Sequence, residues 1–244
     1  MKIIASDYDG TLNHHGISET DKTAIEKFRK EGNKFGLVTG RDLEQAMWVI
    51  SDLKRANLEV DFVLCCTGGV TLTSDGEIVS AKKQKVGEYL NDMVKYARTL
   101  ELGSFRVSNE LVVCHIDPRG NIKQDFSAIG ELTQANAWFY TEEDAQKFVE
   151  YVEKHHKNDI GVFRNSGSID MPPLATSKVT GIYGYASQFK DAKIYTVGDN
   201  VNDIPMIKEF EGYAVSNAKE ETKKVAKHQC DRIADMIEEI MKEK

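Results

Sequence analysis

Strand-and-helix alternation in this chain stops near residue 82 and starts again at Ser177, and that interruption limits the folds open to it more than any other feature. Before the break, "KIIASDYD", "KFGLVTG" and "DFVLCCTGG" read as strands covered on both faces. Between them, "ISETDKTAIEKFRKEG" and "RDLEQAMWVISDLKRAN" carry apolar residues at helical spacing, the first with Ser18 or Thr20 as N-cap and Gly32 as stop. "TGGVTLTSDGEIVSAK" reads as a hairpin turning at Ser74-Asp75-Gly76. After Ser177 the rhythm returns: helix "SKVTGIYGYASQF", strand "AKIYTVGDN", short helix "NDIPMIKEF", strand "EGYAVS", a helix start at "KEETKKVA" and the amphipathic "DRIADMIEEIMKEK".

The middle stretch has a different texture. Two helices, "VGEYLNDMVKYARTLE" and "TEEDAQKFVEYVEKHH", the second capped by Thr141, are mixed with short strands "SFRVS", "LVVCHID", "NAWFY", "IGVFRN" and "SIDMP". The expectation is an α/β chain: a doubly wound, Rossmann-like parallel sheet formed by residues 1–81 and 173–244, with an α+β cap inserted over 82–172. A length of 244 residues suits that division.

Charge narrows the partners. The formal net charge is −7 and no basic block interrupts the chain, which argues against nucleic acid or an anionic membrane. The apolar run at Ile3-Ile4-Ala5 meets acid too soon for a signal peptide or a span, so a cytoplasmic protein is expected. Four cysteines without CxxC spacing read as reduced thiols. Composition leaves the oligomeric state open.

The chemistry sits at the strand ends. Asp7 and Asp9, two apart, share a face where parallel sheets bind ligands. Such a pair needs a divalent cation to neutralise it, or one member must keep a proton. Gly10 permits a tight turn. "YTVGDNVND" repeats the pattern with Asp199, Asn202 and Asp203, further oxygen ligands for a hard cation. "LVTGR" ends in the hydroxyl of Thr39, and "ATSK" puts Lys178 at a helix start; a hydroxyl, helix-end amides and an ammonium suit phosphate. Thr39 equally serves as a cap for the following helix.

These four motifs, "DYDGT", "VTG", Lys178 and "GDNVND", occur in the order found in haloacid dehalogenase-superfamily phosphatases, and the chain resembles their type IIB, Cof-like branch with its large cap. The resemblance implies a Mg²⁺-dependent phosphomonoesterase acting on a small phosphorylated metabolite, a sugar phosphate or a phosphoglycolate-like compound. It implies Asp7 as nucleophile, Asp9 as acid and then base, with a backbone carbonyl on the metal, and Asp7, Asp199 and Asp203 as metal carboxylates. It also implies Thr39 and Lys178 as phosphoryl ligands, aided by the Gly10 and Gly40 amides, with Asn202 supporting either the phosphoryl oxygens or Lys178. A phosphomutase of the same superfamily and a non-catalytic phosphate or metal sensor are the alternatives. The chain departs from the branch in carrying Val179 after the lysine and Thr67-Gly68-Gly69 after the third strand, where glycine and Asn-Gly are common.

Elsewhere, Arg164, Asn165 and Ser168 either reach a leaving group or form a polar turn. Arg41 is expected to pair with Asp42 or a sheet-end carboxylate. His14 and His15 read as an exposed loop, His155 and His156 as helix-end charges, and Trp48 and Trp138 as packing residues.

Overall fold

Ile3, Ile4 and Ala5 leave no polar face on the first strand, so helices must cover both sides of it. The computed structural model describes residues 1–120 and 125–243. In chain order these form β1 (Lys2–Ser6), α1 (Glu19–Lys30), β2 (Lys34–Val38), α2 (Leu43–Arg55), β3 (Phe62–Cys65), β4 (Val70–Leu72) and β5 (Ile78–Ala81). The chain continues through β6 (Gln84–Lys85), α3 (Glu88–Ala97), β7 (Leu102–Ser108), β8 (Val113–Ile116), β9 (Glu131–Leu132), β10 (Gln134–Phe139), α4 (Glu142–His155), β11 (Phe163–Asn165) and β12 (Ser168–Met171). It closes with α5 (Lys178–Ala186), β13 (Lys193–Gly198), α6 (Ile204–Glu209), β14 (Glu211–Val215), α7 (Glu220–Val225), β15 (His228–Cys230) and α8 (Ile233–Lys242).

The larger sheet runs β15-β14-β13-β1-β2-β3-β4-β5, parallel from β15 to β3 and antiparallel in the last two strands. Its two faces are both buried. Ile4, Phe35, Leu37 and Val63 pack with α1, α2 and α8, while Ile3, Ala5, Val38 and Leu64 pack with α5 and α6, which is the doubly wound arrangement. Ser18 caps α1 by accepting from the Asp21 amide at 3.0 Å, as its position ahead of the apolar repeat predicts. The turn between β4 and β5 falls where expected, with Gly76 at φ 91°.

The second sheet is antiparallel, in the order β11-β12-β10-β7-β8. Phe105, Val107, Ala135, Ala137, Phe139 and Ile169 turn to one side and pack on α3 and α4. The other side of these strands faces the carboxyl ends of β1, β2 and β13. The chain leaves the large sheet after Ala81 and returns after Met171, and its two crossings touch: the Gln84 Oε1 accepts from the Leu174 amide at 2.8 Å, and Lys82 Nζ donates to Ala175 O at 3.0 Å. Among the described residues no helix is long and apolar enough to cross a membrane.

Three readings are corrected and one strand is new. The strand β15 was not expected, because a three-residue edge strand leaves no periodic pattern to read. In "LVVCHID" only Val113–Ile116 pairs; Leu111 and Val112 form the turn, where Asn109 Oδ1 accepts both their amides at 2.8 Å. His156 is not a simple helix-end charge: it is buried, with its ring nitrogens 2.9 Å from Asp92 and 3.0 Å from Asp159. Trp48 and Trp138 are exposed, at 55% and 41%, instead of packed.

Candidate functional site

A parallel sheet collects its strand ends on one edge, and the side chains that follow β1, β2 and β13 therefore meet. Asp7 comes directly after β1, its amide donating to Val197 O at 2.9 Å on β13. Asp199 comes directly after β13. Asp203 ends a single turn, Val201–Asp203, and its Oδ2 accepts the amides of Asp199 and Asn200, both at 3.1 Å. Gly198 is required beneath it, because a Cβ there would collide with the Asp203 side chain. Lys178 opens α5, whose N-cap is Ser177 in a reciprocal box with Thr180.

The Lys178 ammonium donates to Asp7 Oδ1 at 2.5 Å and to Asp203 Oδ1 at 2.6 Å, with all three groups buried. Burial lowers the ammonium's affinity for its proton, yet Asp203 and Asp7 outweigh that effect and raise its pKa. One ammonium does not balance three carboxylates. Burial first, then Asp203, pushes Asp7 well above the usual carboxylate range, and the same two causes push Asp199 up to about 6. One ligand atom from each of Asp7, Asp199 and Asp203 lies within 4.8 Å of the others. An all-carboxylate set with surplus negative charge fits a small, hard divalent cation such as Mg²⁺.

Other candidates are placed around this cluster. The Asp9 carboxylate is not in it: half exposed, it holds Arg41 through two bonds, 2.8 Å to Nε and 2.7 Å to Nη2, so Arg41 does pair with a sheet-end carboxylate. Gly10, at φ 79°, lets the chain pass so close to Asp199 that a Cβ would strike its carboxylate. Its amide is already given to Asn13 O at 3.1 Å. Thr39 is buried, and its hydroxyl accepts the Arg41 amide at 3.2 Å. Among the described residues Asn202 makes no bond to Lys178, and its Oδ1 is buried without a partner. His14 and His15 are exposed, as expected, and lie outside the acidic group.

The three candidates from the inserted segment are dispersed. Arg164 turns away to Glu142 Oε2 at 3.1 Å, Asn165 Oδ1 accepts from Asn200 Nδ2 at 2.6 Å, and Ser168 lies on the side of β12 that faces the strand ends. Gln134, Arg106, Asn136 and Asp170, which sequence reasoning missed, close the roof. Gln134 Nε2 donates to Gly40 O at 2.6 Å, Thr67 Oγ1 donates to Gln134 Oε1 at 3.1 Å, Arg106 pairs with Asp42 at 2.8 Å, and Asn136 donates to Asp170 Oδ1 at 2.8 Å. Thr67 adopts φ 56°, a left-handed conformation that asparagine enters more readily than a β-branched residue. Their signal was present as alternation: in "QANAWF" the polar Gln134 and Asn136 share one face while alanines fill the other.

Asp170 seats on Gly40, where a Cβ would collide with its Oδ2. Burial pushes its carboxyl up to about 7. Since the unfolded carboxyl titrates near 4, the folded state is favoured most below about pH 4, and this contribution drains away as pH rises through 7. Asp170→Asn is therefore expected to be more stable than wild type by about 2–3 kcal/mol at pH 8 relative to the same comparison at pH 5. Urea midpoints at the two pH values check this, and a pH-independent difference would refute it.

The sequence model of the haloacid dehalogenase-like hydrolases matches residues 4–236. MG263 of Mycoplasma genitalium, a candidate phosphatase, is 22% identical over 91% of this chain and 80% of its own. Among solved structures, a haloacid dehalogenase-like hydrolase from B. subtilis superposes with a TM-score of 0.80 at 17% identity, covering 98% of this chain and 99% of that one. The subclass IIB sugar phosphatase BT4131 superposes with a TM-score of 0.78 at 20% identity, covering 99% of each. At such identities the superpositions speak to the fold.

Proposed function

Because the chain belongs to the haloacid dehalogenase-like hydrolase family, we propose that it is a Mg²⁺-dependent phosphomonoesterase that cleaves a small phosphorylated metabolite through an aspartyl-phosphate. The observation that carries the proposal is the buried Asp7–Lys178–Asp203 chain beside Asp199, with more negative charge than its lysine neutralises. Asp7, Asp199 and Asp203 would hold Mg²⁺, which supplies the positive charge that lets a phosphate dianion approach an anionic nucleophile.

Asp7 attacks phosphorus through a carboxylate oxygen. The new O–P bond forms as the bond to the leaving oxygen breaks, and Asp9 gives that oxygen its proton. Lys178, already bonded to Asp7, holds the nucleophile in place and offsets charge building on the phosphoryl oxygens, which the Thr39 hydroxyl and the Gly40 amide also bind. Asp9 then takes a proton from water as that water attacks phosphorus, the Asp7–phosphorus bond breaks, and phosphate leaves. In the structure both Asp9 oxygens accept from Arg41, so Asp9 must release Arg41 and take up a proton from solvent before it acts as the acid. The segment over residues 82–172 serves as the cap, excluding bulk water and choosing the leaving group.

The test is phosphate release from a panel of small phosphomonoesters with Mg²⁺ and with EDTA. Release in Mg²⁺ that EDTA abolishes is the expected result, and Mg²⁺ is also expected to raise the melting temperature by relieving repulsion among the three carboxylates. Isomerised product without free phosphate would instead identify a mutase, and a melting temperature indifferent to Mg²⁺ would remove the metal from the proposal.

A further inference from the structure

We infer that Trp138 selects a ring: its indole lies flat in the roof of the phosphate site and stacks on a pyranose leaving group. The inference rests on the phosphatase reading and extends it by naming the part of the substrate the cap recognises.

Strand β10 is pinned across the site at both ends. At one end Gln134 bonds Gly40 and Thr67, beyond β2 and β3. At the other, Glu142, the first residue of α4, approaches Lys219, beyond β14, at 3.9 Å, and Lys219 also donates to Ser166 at 2.9 Å. The strands lying between these anchors are β13 and β1, which carry Asp199 and Asp7. Trp138 sits midway between the anchors. Its register with both neighbours is unbroken from Ala135 to Trp138, so alternation puts it on the face that Gln134 and Asn136 turn to the strand ends. The cross-strand row confirms the placement: Trp138 pairs with Ser168, Ser168 with Asn165, and Asn165 accepts from Asn200, next to Asp199.

The ring's attitude is set by two glycines. A Cβ at Gly103 on β7 would collide with Trp138 Cε3 and Cζ3, and a Cβ at Gly167 would lie 3.6 Å from Nε1. The indole therefore spreads sideways over the sheet, from β7 to the turn between β11 and β12. Tyr140 meets it edge-on, with ring centroids 4.7 Å apart. Trp138 is 41% exposed, while Ala137 and Phe139 beside it are buried. Ser104 and Ser168 stand in register on either side. A partly exposed indole flanked by hydroxyls matches a pyranose, which has an apolar C–H face and a hydroxyl rim; an acyclic polyol or a small carboxylate offers no such face.

The test compares glucose 6-phosphate with glycerol phosphate as substrates for wild type, Trp138→Leu and Trp138→Phe. Trp138→Leu is expected to lower the ratio of the two kcat/KM values by at least about tenfold, chiefly through KM for the sugar, with Trp138→Phe within about threefold of wild type. Gly103→Ala, which lifts the indole without touching substrate, is expected to move the ratio in the same direction. An equal loss on both substrates, or none, overturns the inference. If no compound releases phosphate, the phosphatase reading fails separately, and the platform is still decided by fluorescence. Trp48→Phe leaves Trp138 as the sole indole, and in the Asp7→Asn background its emission is expected to change saturably with glucose 6-phosphate but not with glycerol phosphate. A flat titration overturns the assignment.

Discussion

Asp7→Asn is expected to lose phosphate release by at least about 10⁴-fold while melting no lower than wild type in EDTA. The two halves of this expectation have one origin. Asp7 is a carboxylate buried beside two others, so its charged form is expensive to keep, and the proposed reaction is what requires it. An amide has the same shape, can still accept from Lys178, and removes one negative charge from a cluster that has too many. Phosphate release and a thermal melt, run on the same preparations in EDTA, check both halves. Activity within tenfold of wild type would remove Asp7 as nucleophile, and a melting temperature several degrees lower would show that the cluster is not repulsive.

Lys178→Met reverses the stability outcome. Among the described residues its ammonium is the only cation bonded to Asp7 and Asp203, and both bonds are short and buried. Removing one partner of a buried ionic network leaves the others uncompensated, which costs about 3–5 kcal/mol. For a chain of this size that corresponds to a melting temperature lower by roughly 10 °C in EDTA. Mg²⁺ is expected to restore part of the loss, since it supplies positive charge to the same oxygens. Activity is expected to fall by at least about 10³-fold even when Mg²⁺ has restored the fold, because phosphoryl oxygens lose a fixed positive charge. Retained stability in EDTA would show that the three carboxylates carry protons that compensate without the lysine.

Asp7, Asp199, Asp203 and Lys178 were legible because each follows a recognisable strand or opens a helix, and the edge of a parallel sheet brings such positions together. The doubly wound core was legible for the same reason: Ile3-Ile4-Ala5 and Phe62-Val63-Leu64 are apolar on both faces. The roof was harder. Gln134, Asn136, Arg106 and Asp170 lie on strands whose polar faces would ordinarily meet water, and nothing local to "TQANAWF" says that a second sheet edge lies opposite. For Arg164 the sequence left a leaving-group contact and a polar turn both open; strand alternation turns it to the helix side, where it bonds Glu142. Trp138 did mislead: it reads as a packing residue, but it stands on the face turned to the strand ends and is 41% exposed.

The paired crossings between the two sheets bear on ancestry. Gln84 and Leu174 are 90 positions apart in the chain yet joined by a hydrogen bond, so everything between them forms a loop whose ends already meet. A segment attached in this way can be spliced out, swapped or enlarged by recombination without disturbing the order of strands around Asp7. The acidic cluster around Asp7 and the sheet above it can thus follow separate histories, the first kept while the insert is exchanged.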